Sequence, residues 1–210
     1  MNFLLKISQL IDWFNDQLGK LAMWLVLAAV LISAGNAIMR KAFSIGSNAY
    51  LEVQWYLFAA VFMLAASYVF LRNGHVRIDF ISSRLSKRTN AIIDALGIVV
   101  FLIPLCLILI NLSWPYFMRT YLSGEMSENA GGLIRWPVVM LIPLGFSLLL
   151  MQGLSELIKR VAFLTGHRDE PFSFGHEKTP EEELLEELAA AEAAATATAT
   201  ATATAKGARS

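Results

Sequence analysis

Four long apolar runs dominate the hydropathy pattern of this chain: Leu21–Met39, Val53–Leu71, Ala95–Trp114 and Trp136–Leu154. None contains an ionisable residue. Each is close to the roughly 20 residues that a helix needs to cross a hydrocarbon core about 30 Å thick. In lipid, every backbone N–H and C=O must be paired inside its own segment, so each run is predicted to be a transmembrane helix. Residues 1–19 have a different period. Phe3, Leu4, Ile7, Leu10, Ile11, Phe14 and Leu18 recur at helical spacing, with Lys6, Gln9, Asn15, Asp16 and Gln17 between them. That pattern predicts an amphipathic helix in the headgroup region; packing against a partner subunit is the alternative. The fold class is therefore an all-α membrane protein. It divides into an interfacial helix (1–19), a four-helix transmembrane domain (20–165) and a tail (166–210).

Charge refines this division. Lys+Arg and Asp+Glu are equal at 17 each, but the membrane part is net basic and the tail net acidic. The tail contains Thr179-Pro180-Glu181-Glu182, which has the form of a helix start, and an alternating Ala/Thr tract at Ala195–Ala205. Such a tract offers no large apolar face to bury, so the tail is expected to be largely disordered. Basic residues flanking the spans are more numerous on the side that holds both termini and the middle loop. By the positive-inside rule both termini face the cytoplasm. The first run is too long for a signal-peptide core and ends at Arg40-Lys41 without a small-residue cleavage pattern, so it is read as a permanent span. The lone cysteine, Cys106, can form no internal disulfide.

Candidate chemistry is sparse. No P-loop, dinucleotide fingerprint, zinc-protease motif or nucleophile elbow is present, so an enzyme is not expected. No cofactor, metal or nucleic-acid partner is expected either. A carrier for charged solutes needs a charged group at membrane depth, and Glu52 and Asp94 stand only at the mouths of spans. A stand-alone four-span transporter acting as a dimer is the alternative that this feature disfavours. A sensor recruiting a partner through the tail is a third option.

Several residues stand out beside the spans. Glu52, Gln54 and Trp55 open the second; Trp55 suits an interfacial anchor, and Glu52 is expected to be either solvated or paired with a partner's cation. Arg72, His75, Arg77 and Asp79 belong to a basic middle loop suited to headgroups or to assembly. Pro115–Arg135 reads as the outer loop, in which Asn129, Gly131, Gly132 and Arg135 precede Trp136. Pro104 is expected to kink the third span, and Lys159-Arg160 to close the fourth at the membrane face.

Three segments carry a resemblance: Glu52-Val53-Gln54-Trp55-Tyr56-Leu57-Phe58, Gly74-His75-Val76-Arg77-Ile78-Asp79-Phe80 and Asn129-Ala130-Gly131-Gly132-Leu133-Ile134-Arg135-Trp136-Pro137. With Ile142-Pro143-Leu144-Gly145-Phe146 they resemble the small, Q-type (DctQ-like) membrane subunit of tripartite ATP-independent periplasmic (TRAP) transporters. The likeness covers residues 1 to about 165. It implies a multi-pass subunit of a bacterial inner membrane, in contact with membrane lipids. The implied partners are a large multispan permease subunit and a periplasmic substrate-binding protein. It further implies a fixed scaffold for sodium-driven import of organic acids, with substrate and sodium bound by the large subunit. The subunit-interface or assembly candidates are then Glu52, Gln54, Trp55, Arg72, His75, Arg77 and Asp79, with Asn129, Gly131, Gly132, Arg135 and Trp136 on the outer loop.

Overall fold

The computed structural model describes residues 2–44, 46–72 and 85–167, all within a compact unit, Met1–Phe174. The candidates His75, Arg77 and Asp79, and all of the expected tail beyond His167, lie outside the described residues. Among the described residues, five α-helices follow one another: α1 (Asn2–Phe43), α2 (Asn48–Leu71), α3 (Lys87–Gly97), α4 (Ile103–Ser123) and α5 (Trp136–Leu164), with a π-helical turn, Ile98–Leu102, between α3 and α4. Among the same residues, four stretches are long and apolar enough to cross a membrane: α1, α2, the continuous Lys87–Ser123 unit and α5.

Each helix outruns the apolar stretch that predicted it. The amphipathic N-terminal segment is helical and passes into the first span without a break, making α1 a single helix of 42 residues. The reason lies in its buried seam. Ser8, Asn15, Ala22 and Ala29 follow one another at intervals of seven, with Asp12 and Gly19 between them, and all are buried. Small residues on such a seam let neighbouring helices approach closely. At Gly19 an added Cβ would lie 2.2 Å from the Tyr68 ring, so α2 packs directly on the α1 backbone there.

Lys87–Ser123 behaves similarly. Ser86 caps α3, its Oγ accepting the Thr89 N–H at 3.2 Å, which satisfies one of the orphan donors of the first turn. The π turn directly precedes Pro104. A proline lacks an N–H and presses on the carbonyl four residues earlier, and a wider turn relieves that clash. Pro115, expected to begin the outer loop, instead stays inside α4. The helix survives because its far end is held by rings: Trp114–Phe117 at 5.6 Å, Phe117–Tyr121 at 6.0 Å and an edge-on Tyr121–Trp136 pair at 5.6 Å. It stops at Gly124, in the left-handed region at φ 60°, and the outer loop shrinks to residues 124–135.

Helix α5 is the hub. It packs against α1, α2, α3, the π turn and α4, and 39% of its apolar window is buried, against 11% for α1. Glycine makes this possible at Gly153, where a Cβ would sit 2.3 Å from Leu102 of the π turn. Most of the large apolar side chains of the other helices point outward: Phe3, Trp24, Phe62 and Leu122 are examples. That is the surface expected of helices solvated by lipid or by another membrane subunit.

Candidate functional sites at the two ends of the bundle

At the end where α1 begins and α5 finishes, the two helices are joined by a polar interior. Residues 152, 155, 156 and 159 lie at helical spacing, so Gln152, Ser155, Glu156 and Lys159 share one face of α5 and meet Ser8, Asp12 and Asn15 of α1. Lys159 Nζ donates to Asp12 Oδ2 at 3.0 Å and to Oδ1 at 3.2 Å, and pairs with Glu156. Ser155 Oγ and Gln152 Nε2 donate to Asp12 Oδ1 at 2.8 and 3.0 Å. Asn15 Nδ2 donates to Gln152 Oε1 at 2.7 Å, and the Ser8 and Ser155 hydroxyls are 2.7 Å apart. Arg160 pairs with Glu156 and brings in α3 through Asp94 Oδ2 at 3.4 Å. Nearby, Arg72 lies over the Tyr68 ring and donates to Asp16 Oδ1 at 2.7 Å, and Lys20 reaches the other Asp16 oxygen at 2.8 Å.

This arrangement refines the expectation for Lys159-Arg160. The pair follows the apolar run 136–154, but it does not face headgroups or water freely: each residue is only 1% exposed. A buried cation is tolerated only when acids and hydrogen bonds compensate its desolvation, and Asp12, Glu156 and Asp94 supply them. The interior is nearly but not fully satisfied: Asn15 Oδ1 has no hydrogen-bond partner among the described residues. Among the described residues, no group of three or more His, Cys, Asp or Glu is placed to hold a metal ion.

At the opposite end a single carboxylate organises a loop. Glu52, on the first turns of α2, is 6% exposed. Its Oε1 accepts Ser127 Oγ and, at 2.8 Å, Asn129 Nδ2; its Oε2 accepts the Leu133 N–H at 2.6 Å. Glu52 is therefore held inside its own chain by neutral donors, a third state beside the solvated and cation-paired ones expected. The loop closes on itself through Ser127 N–H to the Leu133 carbonyl at 2.9 Å and Arg135 N–H to the Glu125 carbonyl at 3.0 Å. Asn48 Nδ2 donates to the Ala130 carbonyl at 3.0 Å, and the Tyr56 hydroxyl to the Ile134 carbonyl at 3.1 Å.

The two glycines have separate tasks. Gly131 takes φ 72°, a conformation that L side chains rarely adopt. Gly132 leaves room for the carboxylate, since a Cβ there would stand 2.8 Å from Glu52 Oε1 and 2.6 Å from Ser127 Cβ.

The structure thus brings Glu52, Asn129, Gly132 and the Leu133 backbone into one cluster. Arg135 pairs with Glu125 beside it, and Trp136 stacks edge-on against Tyr121. Trp55 points away, 71% exposed. Gln54 is buried, and its Nε2 has no hydrogen-bond partner among the described residues. Arg72 belongs to the other end of the bundle. The α1–α5 interior was not assembled from sequence. Its signal was the polar stripe at 152, 155, 156 and 159 facing that at 8, 12 and 15.

Both sites use their polar groups to hold elements of the same chain together. No curated protein and no solved structure matches the chain. A family model, described as tripartite ATP-independent periplasmic transporters, DctQ component, matches residues 29–163. That stretch includes the second and third membrane-spanning helices entire, all but the last residue of the fourth, the Glu52-anchored loop and the Lys159–Arg160 pair. With four helices built to span a membrane and well over half its length matched, this multi-pass chain belongs to the DctQ component family of TRAP transporters.

Proposed function

We propose that this small TRAP transporter subunit is a fixed scaffold. It braces the large permease subunit in the bacterial inner membrane, with both termini in the cytoplasm. The large subunit binds sodium and an organic acid delivered by a periplasmic binding protein, and the present chain gives it a rigid abutment. One observation carries this reading: the buried charged side chains Asp12, Glu52, Glu156, Lys159 and Arg160 sit at the two ends of the bundle, engaged with groups of the same chain, while the apolar middle of each span has no Asp, Glu, Lys, Arg or His. A moving carrier needs a charge or polar site at membrane depth that exchanges partners. A stator needs helices locked to one another and a broad apolar exterior, and both features are present here. Nothing in the arrangement calls for catalysis.

The test is reconstitution. Tagged chain purified from its host in mild detergent is expected to carry a larger multispan protein in equimolar amount. In liposomes with an inward sodium gradient, uptake is expected only when the large subunit and the binding protein are both present. Substrate flux through the purified chain alone would overturn the proposal in favour of the stand-alone dimeric transporter.

A further inference from the structure

The surface of α1 between Phe3 and Lys20 is divided lengthwise. Ser8, Asp12, Asn15 and Gly19 turn toward the bundle. Phe3, Ile7, Leu10 and Phe14 recur at steps of three and four residues, so they form a stripe beside that seam. They are exposed, Phe3 by 74% and Leu10 by 65%, and the stripe runs on into Leu21 of the first span. Lys6, Gln9, Gln17 and Lys20, also exposed, occupy the remaining side. A helix wholly in water would not carry the stripe, and one wholly in hydrocarbon would not carry the lysines. The division suits a helix at the boundary between them.

Depth agrees. Trp136 opens α5, and tryptophan anchors spans at the interface. A hydrocarbon core of about 30 Å takes about 20 residues of helix, so measured from Trp136 it ends near Glu156. Ser155 and Lys159, on either side of Glu156, both bond Asp12, so the boundary crosses α1 near Asp12. Leu10 and Phe14 flank it, and Lys6 and Ile7 lie about one and a half turns farther out, among headgroups. Lys20 starts inside the boundary, and its ammonium reaches back to Asp16 at 2.8 Å, toward the same layer.

Charge selects the headgroup. At this end Asp12, Asp16, Asp94 and Glu156 each pair with a cation of the chain and are buried or half-buried. Among the described residues there, the exposed Lys, Arg, Asp and Glu side chains are Lys6, Lys20, Lys87 and Arg88, all of them cations. The opposite end is mixed, with Glu128 exposed as well as Arg40, Lys41 and Arg119. A surface with its acids turned in and its cations turned out attracts anionic lipid.

We infer that the first turns of α1 form a docking surface for an anionic phospholipid. Its acyl chains lie along Leu10, Phe14 and Leu21, and its phosphate lies at Lys6, one turn from Leu10 on the same edge of the helix. The inference rests on membrane residence and not on the scaffold role.

The experiment places the full-length chain in nanodiscs of equal phosphatidylethanolamine and phosphatidylglycerol, extracts it into mild detergent and counts retained lipid by native mass spectrometry. Phosphatidylglycerol should be retained in preference. Lys6→Gln, at an exposed position outside the α1–α5 interior, should cut that preference about fivefold, the worth of one lysine at an anionic surface. Lys41→Gln, at the mixed end, should leave it unchanged. Benzoyl-phenylalanine in place of Phe14 keeps the ring and should cross-link phosphatidylglycerol in the same discs. Equal retention of the two lipids, undiminished preference in Lys6→Gln, or an equal loss in Lys41→Gln would each overturn the inference. So would cross-linking from position 14 to the large subunit instead of lipid in native membranes.

Discussion

The two ends of this bundle both bury carboxylates, and they do so by opposite means. At the terminal end, Asp12, Glu156 and Asp94 face Lys159 and Arg160. At the other end Glu52 faces only neutral donors, a hydroxyl, an amide and a backbone N–H. The difference sets what each cluster can do. Ion pairs between α1 and α5 tie the first helix to the last, and each charge needs the others to offset its desolvation. The neutral donors around Glu52 tie a loop to the helix below it. Water can replace them at a part-exposed position for little cost. One end is an interlock for the bundle; the other is a template for a surface.

Removing one charge from the interlock is the severest way to break this comparison. Asp12→Ala leaves Lys159 buried with a shortened set of acids. Stranding a buried partner in this way costs about 3–5 kcal/mol. Thermal unfolding of the purified chain in detergent should show the loss as a large fall in midpoint. Pairing the change with Lys159→Met removes the stranded charge and should recover most of the stability, since apolar replacements of buried ion pairs are often close to neutral. A double variant as unstable as Asp12→Ala would mean that Lys159 is not the group left uncompensated.

A middling effect is expected at the template. Glu52→Ala leaves Ser127, Asn129 and the Leu133 N–H without their shared acceptor, at positions that water can reach. The change should be local. Amide exchange at Leu133 is expected to quicken at least several-fold while exchange within the α1–α5 interface stays put. If Glu52→Ala lowered the global midpoint as far as Asp12→Ala does, the two ends would form one cooperative structure and the contrast would collapse.

Much of this architecture was legible in the sequence, and what escaped has a common cause. The apolar runs located four helices because lipid leaves the backbone no other option. Helix ends were harder to place, because hydropathy falls off where polar faces begin. The period of the N-terminal segment announced its helix, but its unbroken run into the first span, and the extension of α5 over 155–164, rest on polar stripes that meet each other and that neither segment shows alone. The seam of Ser8, Asn15, Ala22 and Ala29 is visible in the chain, but its partner lies some 147 positions away. The burial of Lys159-Arg160 was not legible because their acids belong to α1 and α3 as well as to α5. Glu52 and the Asn129–Leu133 loop were both singled out, and only the fold of the loop back over α2 joins them. Pro115 misled because proline ends a helix only when neighbouring contacts do not hold the next turn.

The mildest test concerns the ion pair that sits beside the template rather than in the interlock. Arg135 and Glu125 are in contact, yet both side chains are 38% exposed, so water and salt screen them. Such a pair contributes about 0–1 kcal/mol. Glu125→Gln should therefore shift the unfolding midpoint by little, and the small shift should vanish at high salt. The Asp12–Lys159 pair, with Lys159 almost wholly buried, should respond far less to salt over the same range. If ionic strength instead moved the Asp12→Ala deficit as readily as the Glu125→Gln one, solvent would have to reach the α1–α5 interior. The distinction between a buried interlock and a solvated surface pair would then rest on distance alone, and not on the low-dielectric burial that gives the interlock its strength.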